Sequence, residues 1–229
     1  MVPGTGFRLE SEVDEKLEAA KEGGWREIAR IDAAYERGDL DDAGWHGAMA
    51  RLVVPAYLAA ETAPGGSGSS RDEAGWEYAR SLLADATRPG STFLDVGCAN
   101  GHLMESMAAW AGVEPYGLEI SPELAELARR RLPQWADRIW IGNAADWEPP
   151  QRFDAIRAGL GYVPHPRRRD LVRRLLGFGD RLVIGVFNEE RETRALEAEV
   201  ASWGFAISGR AERPHPHRRL AYRAFWLDA

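Results

Sequence analysis

The chain has 229 residues, of which 45% are hydrophobic, and a net charge of −7. That length holds one domain, or one domain with an extension, and the acidic balance argues against a surface that coats nucleic acid generally. The single cysteine, Cys98, excludes an internal disulfide and a cysteine-based metal cluster. No apolar run approaches transmembrane length and the N-terminus lacks a signal-peptide pattern, so a soluble cytoplasmic protein with no membrane partner is the default expectation.

Residues 1–9 read as a loose arm, and 11–61 as helical. Trp45, Met49, Leu52, Val53 and Tyr57 share one helical face, and Trp25, Ile28 and Tyr35 repeat the pattern upstream. These stripes are expected to pack against the main domain, and the helices could also cap an active site. Residues 63–70, Ala-Pro-Gly-Gly-Ser-Gly-Ser-Ser, read as a flexible hinge or a plain linker. The division expected is therefore 1–70, a helical cap with its hinge, and 71–229, the main domain. The nine tryptophans suggest a well-filled core or an aromatic pocket.

From a helix beginning near Asp72 onward, strands and helices alternate. Strands are expected near 92–96, 115–120, 138–142, 153–158 and 181–187, which makes parallel βαβ units. Two more candidates, near 205–211 and 220–227, flank the loop 213–219. No helix fits between them, so they should form an antiparallel hairpin.

The stretch Phe93-Leu94-Asp95-Val96-Gly97-Cys98-Ala99-Asn100-Gly101 is an apolar strand entering a turn of small residues that opens a helix, His102 to Trp110. The next strand, Tyr116 to Ile120, ends in an acid, Glu119. This layout suits a nucleoside: backbone N–H groups can approach the ligand, and a distal carboxylate can accept from ribose hydroxyls. A dinucleotide fingerprint would place its third glycine at position 102, which is His102. The acid before the first glycine would repel a pyrophosphate and suits an amino group.

The pattern Asp95, Gly97, Ala99, Gly101 resembles motif I of the class I S-adenosylmethionine-dependent methyltransferases. The family usually has glycine where Ala99 stands; alanine takes φ > 0 at a cost glycine avoids, so a left-handed residue at 99 would count against the match. The resemblance continues through Glu119 at the ribose position, Ser121 and Pro122 opening the next helix, Gly142-Asn143-Ala144 in place of the adenine-binding turn, and Phe153-Asp154-Ala155-Ile156 opening the fourth strand. It covers roughly residues 72 to 229.

What the resemblance implies is an α/β, Rossmann-like sheet of seven mostly parallel strands, the last antiparallel, behind an N-terminal helical cap. It implies S-adenosyl-L-methionine as cofactor and S-adenosyl-L-homocysteine as product. The cofactor would contact Asp95, Gly97, Cys98, Ala99, Gly101, Glu119, Ile120, Asn143 and Ala144, with Asp146 as the rival for the adenine amino group. Ala158 and Gly159 would border its methionine half. Cys98 is better explained by packing than by nucleophilic chemistry.

Ligands of open α/β sheets lie outside the carboxyl ends of the strands. Catalytic candidates are therefore Tyr162 and His165 after the fourth strand and Glu189 after the fifth. Each has a plainer reading, as a packing residue, an exposed turn residue and a helix-start charge respectively. The Asn-Pro-Pro-aromatic signature of adenine or glutamine amide methylation is absent. His215 and His217 are spaced for metal ligation, but two histidines do not make a site, and no metal is expected. Arg167, Arg168, Arg169, Arg173 and Arg174 form a basic cluster that could meet RNA or an acidic partner, although charged helix faces are usually solvated. The expectation is methyl transfer to an O or N of a small molecule. RNA or protein as acceptor, or a non-catalytic cofactor-binding module, are the alternatives, and the oligomeric state is not written in the sequence.

Overall fold

Side chains alternate across a strand, so a strand covered on both faces must be apolar at nearly every position. Thr92–Val96 (β1) shows this: Phe93 and Leu94, neighbours in sequence, join different clusters on opposite faces of the sheet and are both fully buried. Leu182 and Val183 divide in the same way on Arg181–Phe187 (β5).

The computed structural model describes residues 24, 26–69, 72–187, 190–215 and 221–229. They divide into two compact units, with the boundary between Val53 and Val54. In the first unit a helix over 26–36 (α1) and the start of Asp42–Leu58 (α2) bury Ile31, Trp45 and Met49 against one another, with Ile28, Tyr35 and Leu52 around them. The Trp45 indole donates to Asp32 at 2.9 Å. Trp45, Met49 and Leu52 of the α2 stripe thus pack with the preceding helix, while Tyr57, at its end, meets Tyr162 and Gly68. Trp25 lies outside the described residues.

The second unit carries a seven-stranded sheet in the order β3-β2-β1-β4-β5-β7-β6. Its other strands are Glu114–Glu119 (β2), Ile139–Ile141 (β3), Ala155–Ala158 (β4), Gly209–Pro214 (β6) and Ala221–Asp228 (β7). β1 to β5 pair in parallel, and β7 runs antiparallel between β5 and β6. The helices are Glu73–Arg80 (α3), His102–Ala111 (α4), Pro122–Arg131 (α5), Arg168–Phe178 (α6) and Glu190–Ser202 (α7). Asp72 and Ser121 cap α3 and α5, their side chains accepting from the N–H groups of Gly75 and Leu124. Among the described residues no helix is long and apolar enough to cross a membrane.

Two expectations shift. The sixth strand occupies 209–214 instead of 205–211, because Phe205 and Ile207 pack into the core from an irregular connection. The strand then runs to Pro214, which is admissible because β6 is an edge. Residues 63–69 are not a loose hinge: 65–67 form a 3₁₀ turn in which Gly66 lies so close to Asn100 that a Cβ would collide with its amide. Ser67 donates to Asn100 Oδ1 at 2.6 Å, and the Asn100 amide donates to the Ala63 carbonyl at 2.9 Å.

Phe225 is fully buried in β7, the strand that joins β5 to β6. Phe225→Ala should cost about 3–5 kcal/mol of stability in urea unfolding. A loss below about 1 kcal/mol would mean that this part of the sheet is not cooperative with the rest.

Candidate cofactor and active site

The turn after β1 is left-handed at every second residue: Gly97 at φ 77, Ala99 at φ 49 and Gly101 at φ 78. A Cβ at Gly101 would strike the Leu132 side chain, so α4 approaches α5 closely there. A Cβ at Gly97 would meet nothing within 4 Å, so the space above the turn is open. Ala99 does adopt the conformation that would count against the match. It is held there by Glu119, whose Oε2 accepts the Ala99 N–H at 2.8 Å. Oε1 of the same carboxylate accepts the Ser121 N–H at 2.9 Å.

Glu119 is 5% exposed. Burial pushes its pKa up, and the backbone N–H groups of Ser121, Ala99 and Ile120 oppose that shift. A carboxylate has about four acceptor sites, so capacity remains beyond these donors. Beside it Ile120 and Ile141 are exposed, although large and apolar, and Ile141 is the register partner of Glu119 across β2 and β3. A buried carboxylate next to exposed isoleucines fits a ribose and the base it carries. Cys98 is buried, and Gly117 admits its sulfur, where a Cβ would collide. Burial raises the thiol well above its ordinary pKa, in keeping with a packing role.

Asn143 turns its Oδ1 onto the Ala145 N–H at 3.0 Å, and its carbonyl accepts from Asp146 and Trp147. The segment is thus a closed turn beside the end of β3, with Ala144 half-buried and Asp146 exposed.

Asp95 and Arg157 are partners across β1 and β4, so their side chains share one face of the sheet. Arg157 Nη1 lies 3.3 Å from Asp95 Oδ1, and its Nε donates to the Gly185 carbonyl at 3.1 Å. Burial pushes the Asp95 carboxyl up to about 6, and Arg157 opposes this. Arg80, half-buried at the end of α3, stacks its guanidinium on Trp76 at 5.1 Å. Burial and the Arg157 charge push it down to about 10. Tyr57 and Tyr162 complete the cluster with hydroxyls 3.3 Å apart. Gly159 lies against the Tyr162 ring and Arg157, while Ala158 is buried in β4.

His165 is not drawn into this cluster. It is exposed, and its Nε2 lies 2.6 Å from Glu199 on α7. Glu189 lies outside the described residues, as does His217. Among the described residues no group of three or more potential metal ligands gathers. Two surface concavities lie at the opposite, N-terminal ends of the strands, one beside Trp110 and one beside Asp154 and Asp228, away from the motif turn.

Reading from sequence misses Arg80 and Arg157, and places Tyr57 only on the helical stripe of a possible cap. Arg157 carries a detectable signal: a charge inside an apolar strand of a covered sheet demands a partner. Arg80 and Tyr57 carry none, since only tertiary packing brings them near the strand ends.

This strand order, with a Gly-rich turn after β1 and an acid ending β2, defines a class I S-adenosylmethionine-dependent methyltransferase fold. Residues 93–177 match a family model described as a methyltransferase domain. The chain is 31% identical to a trans-aconitate 2-methyltransferase from Methylobacterium radiotolerans, over 58% of this chain and 54% of that protein. It is 28% identical to another from Rhodopseudomonas palustris, over 58% and 55%. It therefore spans about half the length of the curated relatives it matches. In structure it resembles the N-methyltransferase NodS from Bradyrhizobium japonicum, solved with S-adenosyl-L-homocysteine. There the TM-score is 0.56 at 14% identity, covering 78% of this chain and 96% of that one.

Two outcomes follow. Ala99→Gly relieves a left-handed alanine and should stabilise the protein by about 1 kcal/mol, a rise of about 2–4 °C in Tm; an unchanged Tm would show that the turn carries no such cost. Because Asp95 is raised from 3.8 to about 6, the folded state holds its proton more tightly than the unfolded one. Its contribution is full below the ordinary carboxylate range and falls, by on the order of 2–3 kcal/mol, as pH rises through about 6. Urea midpoints between pH 4 and 7 should show that decline in the wild type and a shallower one in Asp95→Asn.

Proposed function

We propose that the chain transfers the methyl group of S-adenosylmethionine to a small-molecule acceptor. The observation that carries this is the Glu119 carboxylate beside the open left-handed turn at 97–101. In this reading Glu119 holds the ribose hydroxyls, Ile120 and Ile141 flank the adenine, and the Asn143–Ala144 turn meets its polar edge. Gly97 leaves room over the backbone, and Asp95 faces the amino-acid end. The cofactor supplies an electrophilic methyl carbon on a sulfonium. The protein's own work is to orient the acceptor and exclude water from the approach.

A small acceptor is favoured over RNA by the fate of the arginine cluster. Arg174 donates to the Trp147 carbonyl and pairs with Glu148, Arg173 pairs with Asp170, and Arg168 donates to the Val163 carbonyl. Three of the five arginines are thus committed locally, and Arg169 is exposed. The relatives named for trans-aconitate, a small organic acid, point the same way.

Isothermal titration with S-adenosylhomocysteine tests the cofactor, and no binding at high micromolar concentration would sink the proposal. Ile120 is exposed, so Ile120→Asp should leave Tm unchanged and weaken that binding at least tenfold by placing a charge against the base. Unaltered affinity would remove Ile120 from the site.

A further inference from the structure

Arg157 and Tyr162 lie together beside Gly159 at the end of β4, Tyr162 meets Tyr57, and Arg80 interacts electrostatically with all three. Arg157 is fixed by Asp95 and the Gly185 carbonyl. Arg80 is fixed by Trp76, whose indole is itself anchored on Ser106 at 2.9 Å. Among the described residues the Arg80 guanidinium makes no hydrogen bond to an acceptor. Among the described residues Asp95 is the carboxylate that faces the pair, and Glu119 is engaged by the Ala99 and Ser121 N–H groups. Among the described residues the two guanidinium groups thus outnumber the one carboxylate paired with them, in a chain of net charge −7.

The surplus is not incidental to packing. Bringing two cations together in a partly dry place costs free energy unless an anion joins them, and a guanidinium fork matches a carboxylate. The folded Gly-rich turn seats Tyr57, whose hydroxyl lies against Gly68. Burial pushes the Tyr57 pKa up, so it remains a donor. Tyr162, the exposed partner of Tyr57, stands on the open side.

We propose that Arg80 and Arg157, with the Tyr57 and Tyr162 hydroxyls, form a carboxylate-binding site that anchors an organic-acid acceptor. The proposal rests on the methyl-transfer reading and narrows its acceptor to anionic acids. The site orients the acceptor through one carboxylate and does not specify which atom is methylated. The amino-acid end of the cofactor offers the same chemistry, and the test separates the two sources.

Succinate, citrate and trans-aconitate are titrated calorimetrically into the full chain, with and without saturating S-adenosylhomocysteine, and trimethyl trans-aconitate serves as the uncharged control. At least one acid should bind, and where trans-aconitate does, its ester should bind at least tenfold more weakly. Arg80→Gln leaves the Asp95–Arg157 pair intact and should lose at least tenfold in affinity for the acid, with partial recovery in Arg80→Lys. S-adenosylhomocysteine and 5′-methylthioadenosine, which lacks the amino-acid end, should each bind Arg80→Gln within twofold of wild type. A tenfold loss for S-adenosylhomocysteine alone, with acid affinity unchanged, assigns the site to the cofactor and overturns the acceptor proposal. Binding of no acid by the wild type, or equal acid affinity in Arg80→Gln, also overturns it. Acid binding that is lost in Arg80→Gln, in a wild type that does not bind S-adenosylhomocysteine, would uphold the anion site and refute methyl transfer.

Discussion

One buried carboxylate ties the motif turn to the sheet. Glu119 ends β2 and reaches across to the Ala99 N–H while holding the Ser121 N–H at the start of α5. A charge with 5% exposure is costly unless it is hydrogen-bonded, and the two backbone donors supply that. In exchange the donors are fixed: the left-handed alanine is clamped, and the first turn of α5 is tethered to the strand before it. The same group therefore organises the backbone on both sides of the strand end.

The segment before the sheet is built to the same end by different means. Gly66 lets the 3₁₀ turn lie on Asn100, and Asn100 answers with bonds to Ser67 and Ala63. Asn100 also accepts the His102 N–H at 3.1 Å, so one side chain joins this segment to the first turn of α4. Through Gly68 the segment reaches Tyr57. Glycine here serves close approach between backbone and side chain, where a flexible tether would have served reach.

What the sequence shows well is whatever local pattern determines. The parallel strands follow from apolar runs, and the capped starts of α3 and α5 follow from Asp72 and Ser121. Gly97, Gly101 and Glu119 are legible because their chemistry is tied to strand ends. The Gly/Ser stretch misleads because its composition is that of a linker, and only the partner at Asn100 reveals a turn. Ala99 misleads for a related reason: its left-handed cost is real, but a carboxylate twenty residues away holds it in place. Arg80 and Tyr57 are illegible because their meaning arises from packing between segments far apart in the chain.

The edges of the sheet have a consequence for association. An open strand edge invites another chain to extend the sheet. Here β3 at one end is three residues long. At the other end β6 closes with Pro214 and carries Arg210 and Glu212, engaged by Glu197 and Arg223. A neighbouring strand would find few free backbone groups, a proline without a donor, and charges to displace. Extension of the sheet by a neighbouring strand is therefore disfavoured at both edges.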